Sequence, residues 1–266
     1  MGRDVLTRYG TFEELLHRAN HEIGGDDLIT YRQFSKTGTL SADTVSDVWI
    51  TGGAMTRLTI ARTLSIVSAS ANDTVGGTGA RYVLVHGLDS NYNYINETIA
   101  LNGTTPVVTT QTFLRVHKAI VAVSGSGATN AGAITFTATT DNAVQVTIGA
   151  GRSISQKSHF TIPAGYTGYL LEQVFSVYRA SGSGTKDAEI EYNAYSPTAN
   201  TIYKSLTYGI SNAGSGLVVT DPHVLPHIPE KTDIWYTATA SAAATVVTVS
   251  VGYLLVKGNG DITALI

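Results

Sequence analysis

The sequence predicts an all-β protein of antiparallel β-sandwich or jelly-roll lobes, two of them, preceded by a short N-terminal helix and an arm. Three observations carry that prediction. From Asp47 onward apolar residues recur with period two in short runs, the spacing of a half-buried strand. The runs are rich in Thr, Val and Ile, whose branched Cβ atoms suit a pleated, packed surface. Turn formers, namely Asn72-Asp73, Gly76-Gly77, Asn102-Gly103 and Ser124-Gly125-Ser126-Gly127, punctuate the runs at strand-length intervals.

The helix is placed by its start and stop signals. Thr11 stands in N-cap position with Glu14 three residues later, in capping-box spacing, and Gly24-Gly25 ends the segment. Between them Phe12, Leu15, Leu16, Ala19 and Ile23 share one face. Residues 24–47 are polar and turn-rich and read as an arm or linker, so 1–46 is expected to be helix and arm. Strands are expected near 47–50, 58–67, 80–88, 94–101, 106–110, 113–124, 132–139 and 143–148, which make a first sandwich over 47–151. The Gly149-Ala150-Gly151 stretch marks the boundary. A second sandwich over 152–266 is expected from strands near 158–162, 168–179, 186–195, 202–208, 216–220, 233–241 and 245–256. A faint echo links the halves: residues 122–139 and 178–195 each carry Ser-Gly-Ser-Gly followed by an alternating strand, with Ile134 and Phe136 in one and Ile190 and Tyr192 in the other.

At 266 residues the chain can bury roughly three quarters of the surface that its extended form exposes, enough for proper cores. Charged residues make up only 14% of it, against about 25% in average proteins, so solubility rests on Ser, Thr, Asn and turns. A net charge of -3 gives no field for nucleic acid or anionic lipid, and neither partner is expected. With no cysteine, disulfide frameworks, thiolate catalysis and Cys-based zinc sites are all excluded. No stretch approaches the roughly 20 apolar residues that span a bilayer, and the N-terminus lacks the apolar core of a signal peptide.

No residue is put forward as catalytic, cofactor-binding or metal-ligating, although several motifs carry part of the pattern for those roles. His21-Glu22 opens like a metalloprotease pair, but Ile-Gly-Gly follows where the second imidazole is needed. His223 and His227 flank Leu225-Pro226 in extended spacing, with no third ligand near them. Asp89-Ser-Asn-Tyr-Asn93 begins like a calcium loop, yet Tyr94 and Ala100 occupy the positions that need Gly and a bidentate Glu, so a hairpin turn is expected. Gly76-Gly77-Thr78-Gly79 leads into a strand rather than a helix and is no phosphate cradle. The fourteen tyrosines, Tyr92, Tyr94, Tyr166, Tyr169, Tyr178, Tyr192, Tyr195, Tyr203 and Tyr208 among them, could line a sugar-stacking or protein-contact face, although cross-strand packing accounts for most. The Asn72, Asn96 and Asn102 triplets match glycosylation acceptors by composition alone.

The string SIVSASANDTVGGTGARYVLVHGLDSNYNYINETIALNGTTPVVTTQTFLRVHKAIV, continued by GSGATNAGAITF and FTIPAGYTGYLL, resembles a recurrent module of tailed-bacteriophage virion structural proteins, many from marine and cyanobacterial viruses. The approach DVWITGGAMTRL is similar to a stretch that those proteins place just upstream. The resemblance covers roughly residues 47–175 and brings no catalytic residues. It implies a non-enzymatic β-sandwich protein of the virion, assembled in a host cytoplasm. The expected role is capsid decoration or cementing by an oligomer bound to the major capsid protein or other virion proteins. The alternative is a neck or tail component, including an adhesin whose tyrosines hold host glycan.

Overall fold

The computed structural model describes residues 28–182, 185–197, 200–212, 217–221 and 228–258. Among these the fold is all-β, with sixteen strands and no helix. The helix expected over residues 11–23 lies outside the described residues.

Two strands precede the first sandwich, β1 (Leu28–Lys36) and β2 (Val45–Asp47). The first lobe follows with β3 (Leu64–Ser68), β4 (Ala80–Leu88), β5 (Tyr94–Ala100), β6 (Val107–Val108), β7 (Arg115–Ser124), β8 (Ile134–Ala138) and β9 (Val144–Ile148). The second lobe adds β10 (Phe160–Thr161), β11 (Tyr166–Arg179), β12 (Lys186–Ser196), β13 (Thr201–Asn212), β14 (Leu217–Asp221), β15 (Asp233–Ala240) and β16 (Thr245–Lys257). All pairings between these strands are antiparallel.

In the first lobe a sheet of order β6-β3-β8-β9 faces one of order β5-β4-β7. Their inward residues, including Leu64, Ile66, Val83, Val85, Phe113 and Phe136, are fully buried. Each such side chain contributes about 1.5–3 kcal/mol by leaving water. In the second lobe the order is β1-β16-β11-β14 in one sheet and β10-β15-β12-β13 in the other, with β2 added beside β15. Phe175, Ile190, Tyr236, Val249, Tyr253 and Leu255 fill the space between them. The two echoing segments occupy like places, since β7 leads to β8 and β11 to β12 across facing sheets.

Residues 28–47 are not a free arm. All of β1, from Leu28 to Lys36, pairs with β16, and β2 pairs with β15, so this stretch belongs to the second lobe. Its strand period is disguised because polar side chains face inward. Gln33 Nε2 donates to the His159 carbonyl at 2.9 Å, and Ser35 Oγ to the Val249 carbonyl at 2.8 Å. Thr37 Oγ1 accepts from the Val247 amide at 3.0 Å. Hydrogen bonds take the place that apolar packing would fill.

The turn-rich string of the first lobe is organised by one carboxylate. Asp73 is fully buried and accepts from Ser68 Oγ at 2.5 Å, Ala80 N at 2.7 Å, Ala131 N at 2.8 Å and Gly132 N at 2.9 Å. It therefore closes its own loop and ties that loop to the β7–β8 turn. Gly79 is required at this point because a Cβ there would collide with Asp73 Oδ1. Gly87 is required because a Cβ would strike the Arg115 carbonyl oxygen where β4 meets β7.

Candidate functional site

Chemistry-bearing side chains gather where the lobes meet. The chain crosses between the lobes at residues 48–58 and again at 152–159, and the two crossings run alongside each other. Ile50 N donates to the Gln156 carbonyl at 3.0 Å and Ser158 N to the Val48 carbonyl at 2.9 Å. This places Asp47, the last residue of β2, and Arg57 from the first crossing beside Lys157 and His159 from the second. Strand β7 adds Arg115 and His117, and β15 adds Asp233.

Arg115 and Asp233 form a two-pronged ion pair across the junction, with Nε to Oδ1 and Nη2 to Oδ2 both at 2.8 Å. Thr161 Oγ1 donates to Asp233 Oδ1 at 2.6 Å, and Arg115 Nη1 donates to the Leu58 carbonyl at 2.7 Å. Burial would lower the Arg115 pKa, but the Asp233 carboxylate outweighs it and raises the net value. Such planar, charge-assisted pairs fix orientation as well as energy.

Lys157 is 3% exposed and donates to the Val116 carbonyl at 2.6 Å and the Gln145 carbonyl at 2.9 Å. Burial first, then repulsion from Arg115 and Arg57, lowers its pKa to about 7, against the pull of Asp233 and Asp47.

His159 Nε2 lies 3.0 Å from Asp47 Oδ2, which also accepts from Met55 N at 2.8 Å. Burial lowers the imidazole to about 4 in spite of the Asp47 hydrogen bond. Burial alone would raise Asp47, but the hydrogen bond and charge of His159, followed by Met55 N and Arg57, hold it below its ordinary value. At neutral pH the ring is therefore neutral and Nε2 carries the donated proton, which leaves Nδ1 as a bare acceptor. The two tryptophans pack around this ring: Trp49 edge-on at 6.2 Å, and Trp235 parallel at 6.5 Å with the Arg57 guanidinium 3.6 Å over its ring.

His117 has the opposite tautomer. Thr161 N donates to its Nε2 at 3.2 Å, and burial followed by repulsion from Lys157, Arg115 and His86 lowers its pKa well below the ordinary value. The ring proton therefore sits on Nδ1. Arg57 Nη2, His117 Nδ1 and His159 Nδ1 are buried with no hydrogen-bond partner. Their side chains line one cavity of about 10 Å³ together with Arg115, Lys157 and Asp233.

The arrangement is an interlobe tie. Asp47 orients the His159 ring, which is 5% exposed.

The motifs singled out in the sequence lie elsewhere. Asp89 Oδ1 accepts from Asn91 N at 2.7 Å and Asn93 N at 2.9 Å, which makes the expected hairpin turn between β4 and β5. Among the described residues no cluster of three or more His, Cys, Asp or Glu is arranged to hold a metal. His21, His223 and His227 lie outside the described residues, as do the side chains of Tyr203 and Tyr208. Of the remaining tyrosines, Tyr92 lies with its ring 5.9 Å from the Arg115 guanidinium. Tyr192 is in the second core, Tyr94 stands edge-on to His117, and Tyr195 donates to Asn200 Oδ1.

The sequence did carry one signal for the junction. Arg115 and His117, and Lys157 and His159, are each two residues apart in extended segments, which puts each pair on one side of the backbone.

No protein-family model matches the chain, and no curated protein sequence matches it. Among solved structures, that of the infectious bursal disease virus Gt strain is 13% identical and covers 91% of this chain and 76% of that chain, with a TM-score of 0.23. T=1 particles derived from infectious bursal virus are 14% identical and cover 90% of this chain and 72% of that chain, with a TM-score of 0.22. Likeness at these scores carries no argument, and the fold stands on the strand pairing above.

Proposed function

We propose that this chain is a non-enzymatic structural protein of a virus particle, one that decorates or cements a tailed-phage capsid by binding the major capsid protein. The observation that carries the proposal is the resemblance of residues 47–175 to phage virion proteins. The fold is in keeping with it, because that string is spent on architecture: Asp73 closes loops, Gly79 and Gly87 permit close approach, and Arg115 and Lys157 join lobes. Large apolar residues about half exposed, such as Phe34, Val45, Ile60, Val108 and Ile202, are spread over both lobes. Broad contact with neighbouring subunits uses a surface of this kind. A protein that binds only the assembled shell stabilises it by mass action.

The test is the copy number of the chain relative to the major coat protein in purified particles. A ratio near unity supports shell decoration. About a dozen copies or fewer would move the protein to the neck or tail, and absence from particles would end the proposal.

A further inference from the structure

We propose that the lobe junction binds one small monovalent anion, a halide such as chloride, between Arg57, Lys157 and His117. The first ground is charge. Arg57, Arg115 and Lys157 face the carboxylates of Asp47 and Asp233, while His117 and His159 are neutral. With Lys157 protonated, below about pH 7, one positive charge is left over, and burial makes it costly. Both Asp233 oxygens are engaged by Arg115, and Asp47 Oδ2 by His159 and Met55 N.

The second ground is donors. Arg57 Nη2 and the protonated Nδ1 of His117 are buried without an acceptor, and Lys157 uses two of its three N–H groups on carbonyls. The groups that oppose an anion are the Nδ1 lone pair of His159 and the Asp233 carboxylate, whose two oxygens Arg115 engages.

The third ground is size. A cavity of about 10 Å³ has room for one water-sized sphere, so it excludes phosphate, sulfate and carboxylates and takes a halide only in close contact with its donors. A water molecule can accept from these donors, but only an anion also cancels the charge.

Linkage then follows. The groups facing Lys157 are Arg115 and His117 from β7, Arg57 from the first crossing, Asp47 from β2, His159 from its own crossing and Asp233 from β15. A bound anion favours the protonated amine, so affinity weakens as pH rises above about 7.

Crystals of the full chain soaked in sodium bromide test the site directly. An anomalous peak in the cavity, in contact with Arg57 Nη2 and Lys157 Nζ, is expected; a cavity without one overturns the proposal. Melting at pH 6 in sodium chloride against sodium gluconate of equal ionic strength should show chloride raising the midpoint by about 4 °C or more. That difference should vanish in Lys157→Met and Arg57→Leu. An equal difference in the variants would show a general salt effect and overturn it. If neither variant folds, the bromide experiment on the natural chain decides alone.

Discussion

Replacing Asp73 with alanine removes four hydrogen bonds at one stroke and leaves the amides of Ala80, Ala131 and Gly132 facing a void. A buried amide without an acceptor costs about 1–3 kcal/mol, and the three share one site, so the expected loss is about 3–6 kcal/mol. With a urea slope of about 1–3 kcal/mol/M, the first-lobe midpoint should fall by about 2 M. The assay has a built-in contrast, because both tryptophans sit at the junction while far-ultraviolet circular dichroism reads all the strands. The two signals should coincide in the natural chain and separate in Asp73→Ala, with dichroism lost first. The pH dependence has a definite sign. Burial would raise the Asp73 carboxyl, but Ser68 Oγ and the amides of Ala131, Gly132 and Ala80 hold it below its ordinary value. Its contribution is therefore complete above about pH 4 and is lost as pH falls through the depressed value. The variant should lack that acid-labile component. A loss under about 1 kcal/mol would refute the reasoning, since relaxation or water would then be replacing the carboxylate.

Gly87→Ala should destabilise the first lobe by more than the ordinary cost of a strand substitution, because the added methyl meets the Arg115 backbone carbonyl; thermal melting of the variant reads this. Lys157 is lowered from 10.5 to about 7 in the folded chain, so the unfolded chain binds more protons between those values and stability should rise with pH across that window. Urea unfolding at pH 7 and pH 9 in gluconate should show this rise in the natural chain and not in Lys157→Met. Attachment to particles should survive from about 0.1 to 1 M salt, because exposed charge pairs are screened within about 10 Å and the surface has few of them. Release of the chain at high salt, followed by sedimentation, would show that a charged footprint holds it.

Strand positions were legible wherever apolar alternation was intact. Strand β4 spans Ala80–Leu88 as the 80–88 run predicts, and β11, β12, β15 and β16 lie within a few residues of their expected spans. The hairpin at Asp89 was legible from turn chemistry. Strand β1 was not, because Gln33 and Ser35, with Thr37 just past its end, point inward and satisfy themselves through long-range hydrogen bonds that no local pattern displays. The junction was hidden for a related reason. Arg115 and Asp233 are 118 residues apart, and His159 and Asp47 are 112 apart, so each reads as an ordinary surface charge until the crossings align.

A chain with so little charge places several of its charged groups in a largely buried junction, although an apolar junction of equal volume would be about as stable. What the ionic tie adds is direction. Apolar contacts tolerate sliding, whereas a two-pronged guanidinium–carboxylate pair holds one angle, and here Thr161 and the Leu58 carbonyl hold its members in turn. Under the proposed function both lobes meet neighbouring subunits at once, and a fixed angle lowers the ordering cost of binding. The double replacement Arg115→Met with Asp233→Leu separates the two effects. Either single change strands a buried charge and should cost about 3–5 kcal/mol, while the pair should recover most of that loss. Under the proposed function the double variant should nevertheless leave particles faster than the natural chain, and its small-angle scattering should report a wider spread of lobe separations. Equal dissociation rates with a widened spread would show that lobe geometry does not contribute to attachment.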